Sequence, residues 1–368
     1  MRTVAFYLPQ FYPIPENDRW WGPGFAEWTN VARARPRFRG HEQPQLPADL
    51  GFYDLRVPEV RAAQSALAAA HGIDGFVYYH YWSGGTRLLG RPLDEVLESG
   101  EPDFPFALCW ANHDWTRGWD SREGTVLFEQ SYSEHDDLHH VRWLAEHVWS
   151  DRRYITVDGR PLFLVRVEPP DADARIDRWR SEAQRLGVPD PYIVLRATMR
   201  DDPESCLSRG FDACVEIPPY GFARGPRVDW RGRIERVAPQ RLRTPLRRRL
   251  EQLPGAADDV HEYAEVVAHA IARPRVAWKR YPGVMPRWDN SPRRATGALI
   301  FRGSTPELYR RWLEHVATTF VPFGPGEDLV FVNAWNEWAE GAYLEPSLRW
   351  GTRYLEAHVG LPSRTSRT

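Results

Sequence analysis

A (β/α)8 barrel, an α/β fold with long loops at the C-terminal face of its strands, is the architecture this 368-residue sequence predicts. Eight short apolar segments recur, near residues 3–8, 73–79, 105–110, 161–167, 192–197, 211–217, 275–279 and 328–335. Most are followed by a helix-like stretch, the alternation expected of a parallel sheet covered by helices. Each is also followed by a polar or aromatic tip, at the place where barrels gather their chemistry. An open doubly wound sheet is the competing architecture, but GxGxxG follows none of the segments.

Helical patterning supports the alternation. Glu59 to Ala70 carries alanines and a leucine at helical spacing, and Asp173 to Leu186 is ended by Gly187. Another helix opens at Ser304-Thr305-Pro306-Glu307, whose Ser and Glu have capping-box spacing, and runs toward Thr318. The only DxD-like run, Asp171-Ala172-Asp173, follows two prolines and is read as a helix start. No internal repeat is evident, and one barrel domain over residues 1–360 is expected, since such barrels often exceed 250 residues. Within it, residues 224–254 are Arg-rich and poor in aromatics, which suggests an exposed insertion; residues 361–368 form a disordered tail.

The charge balance, 48 Lys+Arg against 50 Asp+Glu, argues against nucleic acid as a partner. Cys109, Cys206 and Cys214 lack CxxC spacing, so neither a zinc site nor a disulfide framework is indicated and a reducing interior fits. The apolar run Val4 to Pro9 is too short for a signal core, and no run approaches 18 apolar residues. A soluble, cytoplasmic chain with at most peripheral membrane contact is expected.

The densest chemistry lies in Val330 to Pro346, where an apolar strand gives way to amides, indoles and carboxylates. Glu337 and Glu340 are three residues apart, so one turn of helical or turn-like backbone would place them on the same side. Carboxyl pairs at roughly 5–9.5 Å are what glycosidic cleavage usually requires. Trp335 and Trp338 offer flat faces for sugar rings, and Asn333 and Asn336 offer hydrogen bonds to hydroxyls. The bland alternative is a structural strand with a solvated acidic turn.

Other tips share this character. The first, Pro9 to Asn30, is a Pro- and Gly-rich loop with many aromatics; the second is Tyr78-Tyr79-His80-Tyr81-Trp82; the third is Cys109-Trp110-Ala111-Asn112-His113-Asp114-Trp115. Arg280 to Arg294 reads as an aromatic and polar loop at the seventh tip. His41, His80 and His113 are read as structural or substrate-bonding groups rather than metal ligands, since neither HxH nor HExxH occurs. His139-His140 is expected on a solvated helix face, and Asp114 either accepts from sugar hydroxyls or pairs with Arg117.

Taken together, Tyr7-Leu8-Pro9-Gln10-Phe11, Asn17 to Gly22, Glu27-Trp28-Thr29-Asn30-Val31, Gly40-His41-Glu42-Gln43-Pro44, Asp49 to Asp54, Tyr78 to Trp82, Cys109 to Asn112 and Asn336 to Gly341 resemble the WbsX-type family of bacterial polysaccharide clusters, related to the family 99 glycoside hydrolases (endo-α-mannosidases). The resemblance implies a (β/α)8 barrel and retaining cleavage of an α-linked sugar, in which one carboxylate deprotonates the substrate's own 2-hydroxyl and the other protonates the departing oxygen. Carried over, Glu337 matches the base and Glu340 the acid. Candidate substrate contacts are Tyr7, Gln10, Trp21, Glu27, Trp28, His41, Tyr79, His80, Trp82, Trp110, Asn112, Trp335, Asn336 and Trp338. No metal and no cofactor is implied; the partner is an oligosaccharide or polysaccharide, with lipid-linked intermediates one form it could take. His113-Asp114 departs from the family, which commonly has a Glu after the Asn. Two alternatives stay open: a glycosyltransferase building such a polysaccharide, for which no phosphate-cradling glycine loop is found, and a noncatalytic glycan-binding protein.

Overall fold

A computed structural model describes residues 1–116, 125–197, 207–222, 224–228 and 257–361. Parallel strands form the central sheet, in the order β1 (Arg2–Tyr7), β2 (Gly75–Ser83), β3 (Phe106–Trp110), β4 (Arg160–Val165), β5 (Tyr192–Ala197) and β6 (Ala213–Glu216). β8 (Leu329–Val332) returns to pair with β1, with Arg2 opposite Leu329. These strands read as nearly continuous apolar runs because each is covered on both faces, by the barrel interior and by helices. All nine residues of β2 are buried.

The barrel closes through a seventh strand, β7, that is split in two. Arg280–Tyr281 pairs with β6, and Gly283–Val284 pairs with β8. Pro282 sits at the break, where it has no N–H to give to either neighbour, while its carbonyl accepts from Phe331 N at 3.0 Å. Residues 275–279, where the apolar pattern places this strand, precede it. The strand occupies the opening of the segment read as a loop, Arg280 to Arg294, because the Tyr281 and Val284 side chains are what the interior buries.

Six helices, α1 (Pro58–Ala70), α2 (Arg91–Ser99), α3 (Glu134–His147), α4 (Ala172–Arg185), α5 (Tyr263–Ala272) and α6 (Pro306–Thr319), alternate with the strands. The expected helices appear within a residue or two, but two of their caps differ. Thr305 caps α6, accepting from Leu308 N, while Ser304 donates to Pro286 O. Asp171 precedes α4 in the left-handed region, at φ 48°, and its side chain does not cap. His140, expected in solvent, is buried: α3 turns it inward to stack on Trp82 at 4.7 Å, and only His139 is exposed.

Around the seventh tip lies an unanticipated second sheet, in which Leu299–Arg302 pairs parallel to Asp259–Glu262 and antiparallel to Trp288–Asp289. Cys214 is disulfide-bonded, which corrects the expectation of unpaired thiols; Cys109 is free and buried. Among the described residues no helix is long and apolar enough to cross a membrane. The Arg-rich segment lies outside the described residues except for 224–228, as do Arg117 and the tail after residue 361.

Gly283 lies tight against the end of β6, and a Cβ there would lie 1.7 Å from Glu216 O. Since backbone cannot swing aside as a side-chain end can, Gly283→Ala should destabilise the protein by more than about 3 kcal/mol in denaturant titrations. Wild-type stability in that variant would contradict the closure described.

Candidate active site

Beyond β8 the chain forms a tight hairpin. Asn336–Glu337 pairs antiparallel with Ala342–Tyr343, and a 3-10 turn, Trp338–Glu340, joins them. Residues three apart eclipse in such a turn, so Glu337, which caps it, and Glu340, which ends it, come to the same side. Gly341 reverses the chain at φ 64°, where a Cβ would lie 2.8 Å from Asp289 N. Asn336 fixes the hairpin to the end of β1: its Oδ1 accepts from Leu8 N at 2.7 Å and its Nδ2 donates to Leu8 O at 3.1 Å. Trp338 stacks on Tyr343 at 3.8 Å and donates to Glu345 Oε2 at 2.6 Å. Glu345 also accepts from Tyr53 and Gln64, so it braces the hairpin from behind.

The two glutamates are held by one arginine that sequence reasoning did not single out. Arg293 donates through Nη2 to Glu337 Oε2 at 2.7 Å, pairs through Nη1 with Glu340 Oε1 at 2.8 Å, and donates through Nε to Glu27 Oε1 at 2.7 Å. The Glu337 and Glu340 oxygens can therefore be no farther apart than two hydrogen bonds plus the width of a guanidinium. That keeps them inside the upper limit, roughly 9.5 Å, of glycosidase carboxyl pairs. Arg293 comes from a 3-10 turn, Ser291–Arg293, in the second sheet. This turn is set by Asp289, which accepts from Gln43 Nε2 at 2.6 Å and Ser291 N at 3.0 Å and lies 2.8 Å from His41 Nε2. Burial works against ionised Asp289, yet these hydrogen bonds hold its pKa below the usual carboxylate value.

Burial and neighbouring carboxylates act the other way on the cluster. Burial pushes Glu337 up to about 7, with Glu340 and Glu27 adding repulsion and Arg293 partly offsetting both. Glu27 is raised for the same principal reason.

Glu337 and Glu340 form one wall of a cavity of about 250 Å³, near the lower end of the roughly 300–1,000 Å³ usual for small-molecule sites. Every barrel strand or the loop after it contributes. Leu8, Gln10, Trp21, Phe25 and Asn30 come from the first loop, Tyr79 and Tyr81 from β2, and His113 to Thr116 from the loop after β3. Arg166, Arg196 and Tyr220 follow from β4, β5 and the loop after β6, and Asn290, Arg293 and Arg294 from the second sheet. Asp114 accepts from Gln130 N at 2.7 Å.

Of the residues the sequence offered, Gln10, Trp21, Tyr79, His113, Asp114, Glu337 and Glu340 meet in this cavity. The others stand behind it. Strand alternation explains three: Tyr79 and Tyr81 face the interior, so His80, Trp82 and, on the neighbouring strand, Trp110 face α3. His80 bonds His140, Trp82 donates to Asp136 at 2.9 Å, and Trp110 donates to Trp82 O. Asn112 binds the Val167 backbone through both amide atoms. Tyr7 bonds Gln64, Trp28 bonds Tyr53 O and packs on Trp338, and Trp335 is fully buried against Phe76. Glu27 and His41 support Arg293, directly and through Asp289. Asn336 and Trp338 orient the hairpin that bears Glu337 and Glu340 from behind. Tyr81, part of the second aromatic tip, is singled out only by the period-two register of β2, and nothing local marks Arg166, Arg196 or Tyr220.

Among the described residues no group of three or more His, Cys, Asp or Glu could hold a metal ion. The site thus presents a carboxyl pair in a polar, aromatic and cationic bowl at the C-terminal mouth of a (β/α)8 barrel. The chain belongs to the WbsX glycosyltransferase family, whose model matches residues 3–358. It is 41% identical over 359 residues to "Uncharacterized protein WxcX" from two strains of Xanthomonas campestris pv. campestris, covering 96% of this chain. The match takes in 48% of those proteins, so the chain spans about half the length of the curated relatives it matches. In fold it is similar to a glycoside hydrolase-like protein, with TM-score 0.57 and 16% identity over 97% of this chain and 92% of the other. It is also similar to the GH99 endo-alpha-mannosidase from Bacteroides thetaiotaomicron in complex with bis-tris-propane, with TM-score 0.55 and 11% identity over 97% and 95% of the two chains.

A carboxyl whose pKa is raised by folding binds more protons in the native than in the unfolded state between its ordinary value, 4.5, and about 7. The stability it contributes is complete below 4.5 and is lost as pH rises through that window. The stability advantage of wild type over Glu337→Gln should therefore shrink by up to about 3 kcal/mol between pH 4.5 and 7.5, measured by thermal or denaturant melts. Because Glu345 is present in both proteins, its similar shift cancels. A difference that is flat with pH would show Glu337 to be an ordinary carboxylate.

Proposed function

We propose that this protein is a carbohydrate-active enzyme of cell-surface polysaccharide metabolism that cleaves an α-linked glycosidic bond with retention of configuration. The observation carrying this reading is the Glu337–Arg293–Glu340 arrangement, two carboxyls on one guanidinium at the mouth of a barrel similar to that of an endo-alpha-mannosidase. Neither a strand scaffold nor a simple lectin has use for two glutamates held side by side, one of them titrating near 7.

In the proposed reaction Glu337 removes the proton from the substrate's 2-hydroxyl as that oxygen attacks the anomeric carbon. Glu340 gives its proton to the departing glycosidic oxygen. Water then opens the resulting 1,2-anhydro sugar, with the carboxyls exchanging roles. A base that titrates near neutrality takes a proton with more driving force than an ordinary carboxylate while a useful fraction stays ionised. The Glu340 side chain, 16% exposed against 7% for Glu337, is the better placed to be reprotonated from solvent between turnovers. Arg293 keeps both oriented and limits the repulsion between them. Gln10, Trp21, Tyr79 and Tyr81 supply hydrogen bonds and ring faces to the sugar.

The family's name favours a second reading, transfer of a sugar in polysaccharide assembly. The two are separated by supplying α-linked oligosaccharides and, separately, nucleotide sugars, and following products by chromatography and NMR. Hydrolysis predicts release of a reducing sugar with its α configuration kept, and a loss of at least about 10²-fold in rate for both Glu337→Gln and Glu340→Gln. Product formed only with a nucleotide sugar would replace hydrolysis by transfer.

A further inference from the structure

Four arginines line the cavity, and one of them, Arg293, is committed to carboxylates. Arg166 and Arg196 are different. Arg196 projects from β5 with 5% of its surface exposed, lies over the Tyr220 ring at 5.5 Å, and leaves its Nε without a hydrogen-bond partner. Arg166 sits just beyond β4 with Nη1 2.9 Å from His113 Nδ1. That imidazole is kept neutral by burial and by Arg166 itself, with Arg196 adding to the effect, so it takes a hydrogen bond without cancelling charge. Neither guanidinium forms a salt bridge with a carboxylate of the described residues. Both charges bear on the same four groups, Tyr79, Cys109, His113 and Tyr220, so they share one side of the cavity.

A buried guanidinium with a second, half-buried one nearby and no carboxylate partner among the described residues is costly, and a bound anion would offset that cost. Arginine forks match the oxygens of carboxylate and phosphate in particular. A neutral glycan could accept hydrogen bonds from these guanidiniums through its hydroxyls but would leave their charge unmatched. Glu340 attracts Arg196 but is already paired to Arg293, so the anion is best supplied from outside.

Resting on the reading that this cavity holds a glycan, we propose that the substrate carries an oxyanion, a sugar carboxylate or a sugar phosphate, next to the cleaved bond, and that Arg196 and Arg166 receive it. The remaining polar walls then read the neutral hydroxyls while this pair selects for charge. Asp114, which lines the same cavity, disfavours an anion placed on its side.

The test uses wild-type protein and three matched, sulfur-linked α-disaccharides that resist hydrolysis: neutral, bearing a C6 carboxylate, and bearing a phosphate. Calorimetry should find at least one charged ligand bound tenfold or more tighter than the neutral one. Raising salt should narrow the gap, and Arg166→Gln should abolish it. Arg196→Lys, which keeps the buried charge, should retain part of the preference. Whichever charged ligand wins identifies the anion as carboxylate or phosphate. Equal binding of all three would overturn the proposal even if neutral oligosaccharides are cleaved, and charge preference without any cleavage would uphold it while removing hydrolysis.

Discussion

One guanidinium organises the site. Arg293 holds three carboxyl groups that come from distant parts of the chain: Glu27 in the first loop, and Glu337 and Glu340 in the hairpin after β8. Without it, two buried acids and a partly exposed third would face one another, and breaking a buried pair of this kind costs about 3–5 kcal/mol. With it, burial and repulsion still lift Glu337 to about 7, so that carboxyl stays poised to exchange a proton near neutral pH. Stability and chemistry are here two consequences of the same geometry. Much of the surrounding structure serves that geometry, as Asp289, Gln43 and His41 set the turn bearing Arg293 while Asn336, Trp338 and Glu345 set the hairpin.

The barrel makes this convergence possible. Its closure through a strand interrupted at Pro282 and seated tightly at Gly283 releases the chain on the mouth side, where the second sheet forms and delivers Arg293 opposite the β8 hairpin. Each remaining strand then adds one or two inward side chains. The resulting wall is asymmetric: carboxyls and Arg293 on one side, Arg166 and Arg196 on another, and tyrosines between them.

Apolar segments and turn signals made seven of the eight barrel strands legible in the sequence, because a parallel strand covered on both faces must be apolar throughout. The seventh was misplaced because Pro282 and Gly283 look like loop residues, and only the close approach of Glu216 explains why a strand needs them there. In the site, the spacing of Glu337 and Glu340 was readable, although a 3-10 turn inside a hairpin, rather than a helical turn, aligns them. The indoles misled: Trp82, Trp110, Trp335 and Trp338 are buried frame behind the cavity, and Trp21 is the one of those proposed that lines it. Alternation along β2 could have separated Tyr79 from His80 and Trp82. Nothing local marks Arg293, Arg166 or Arg196 in a chain so rich in arginine, since their importance arises from contacts between residues as far as 266 positions apart.

The proposed reaction places a glycosidic bond across the Glu337–Arg293–Glu340 arrangement. It is tested most directly by a crystal structure of the Glu340→Gln protein with a bound α-linked oligosaccharide. The glycosidic oxygen should lie within hydrogen-bond reach of position 340 and the adjoining sugar's 2-hydroxyl against Glu337. A sugar bound elsewhere on the barrel mouth, or turned so that neither group meets the linkage, would contradict it.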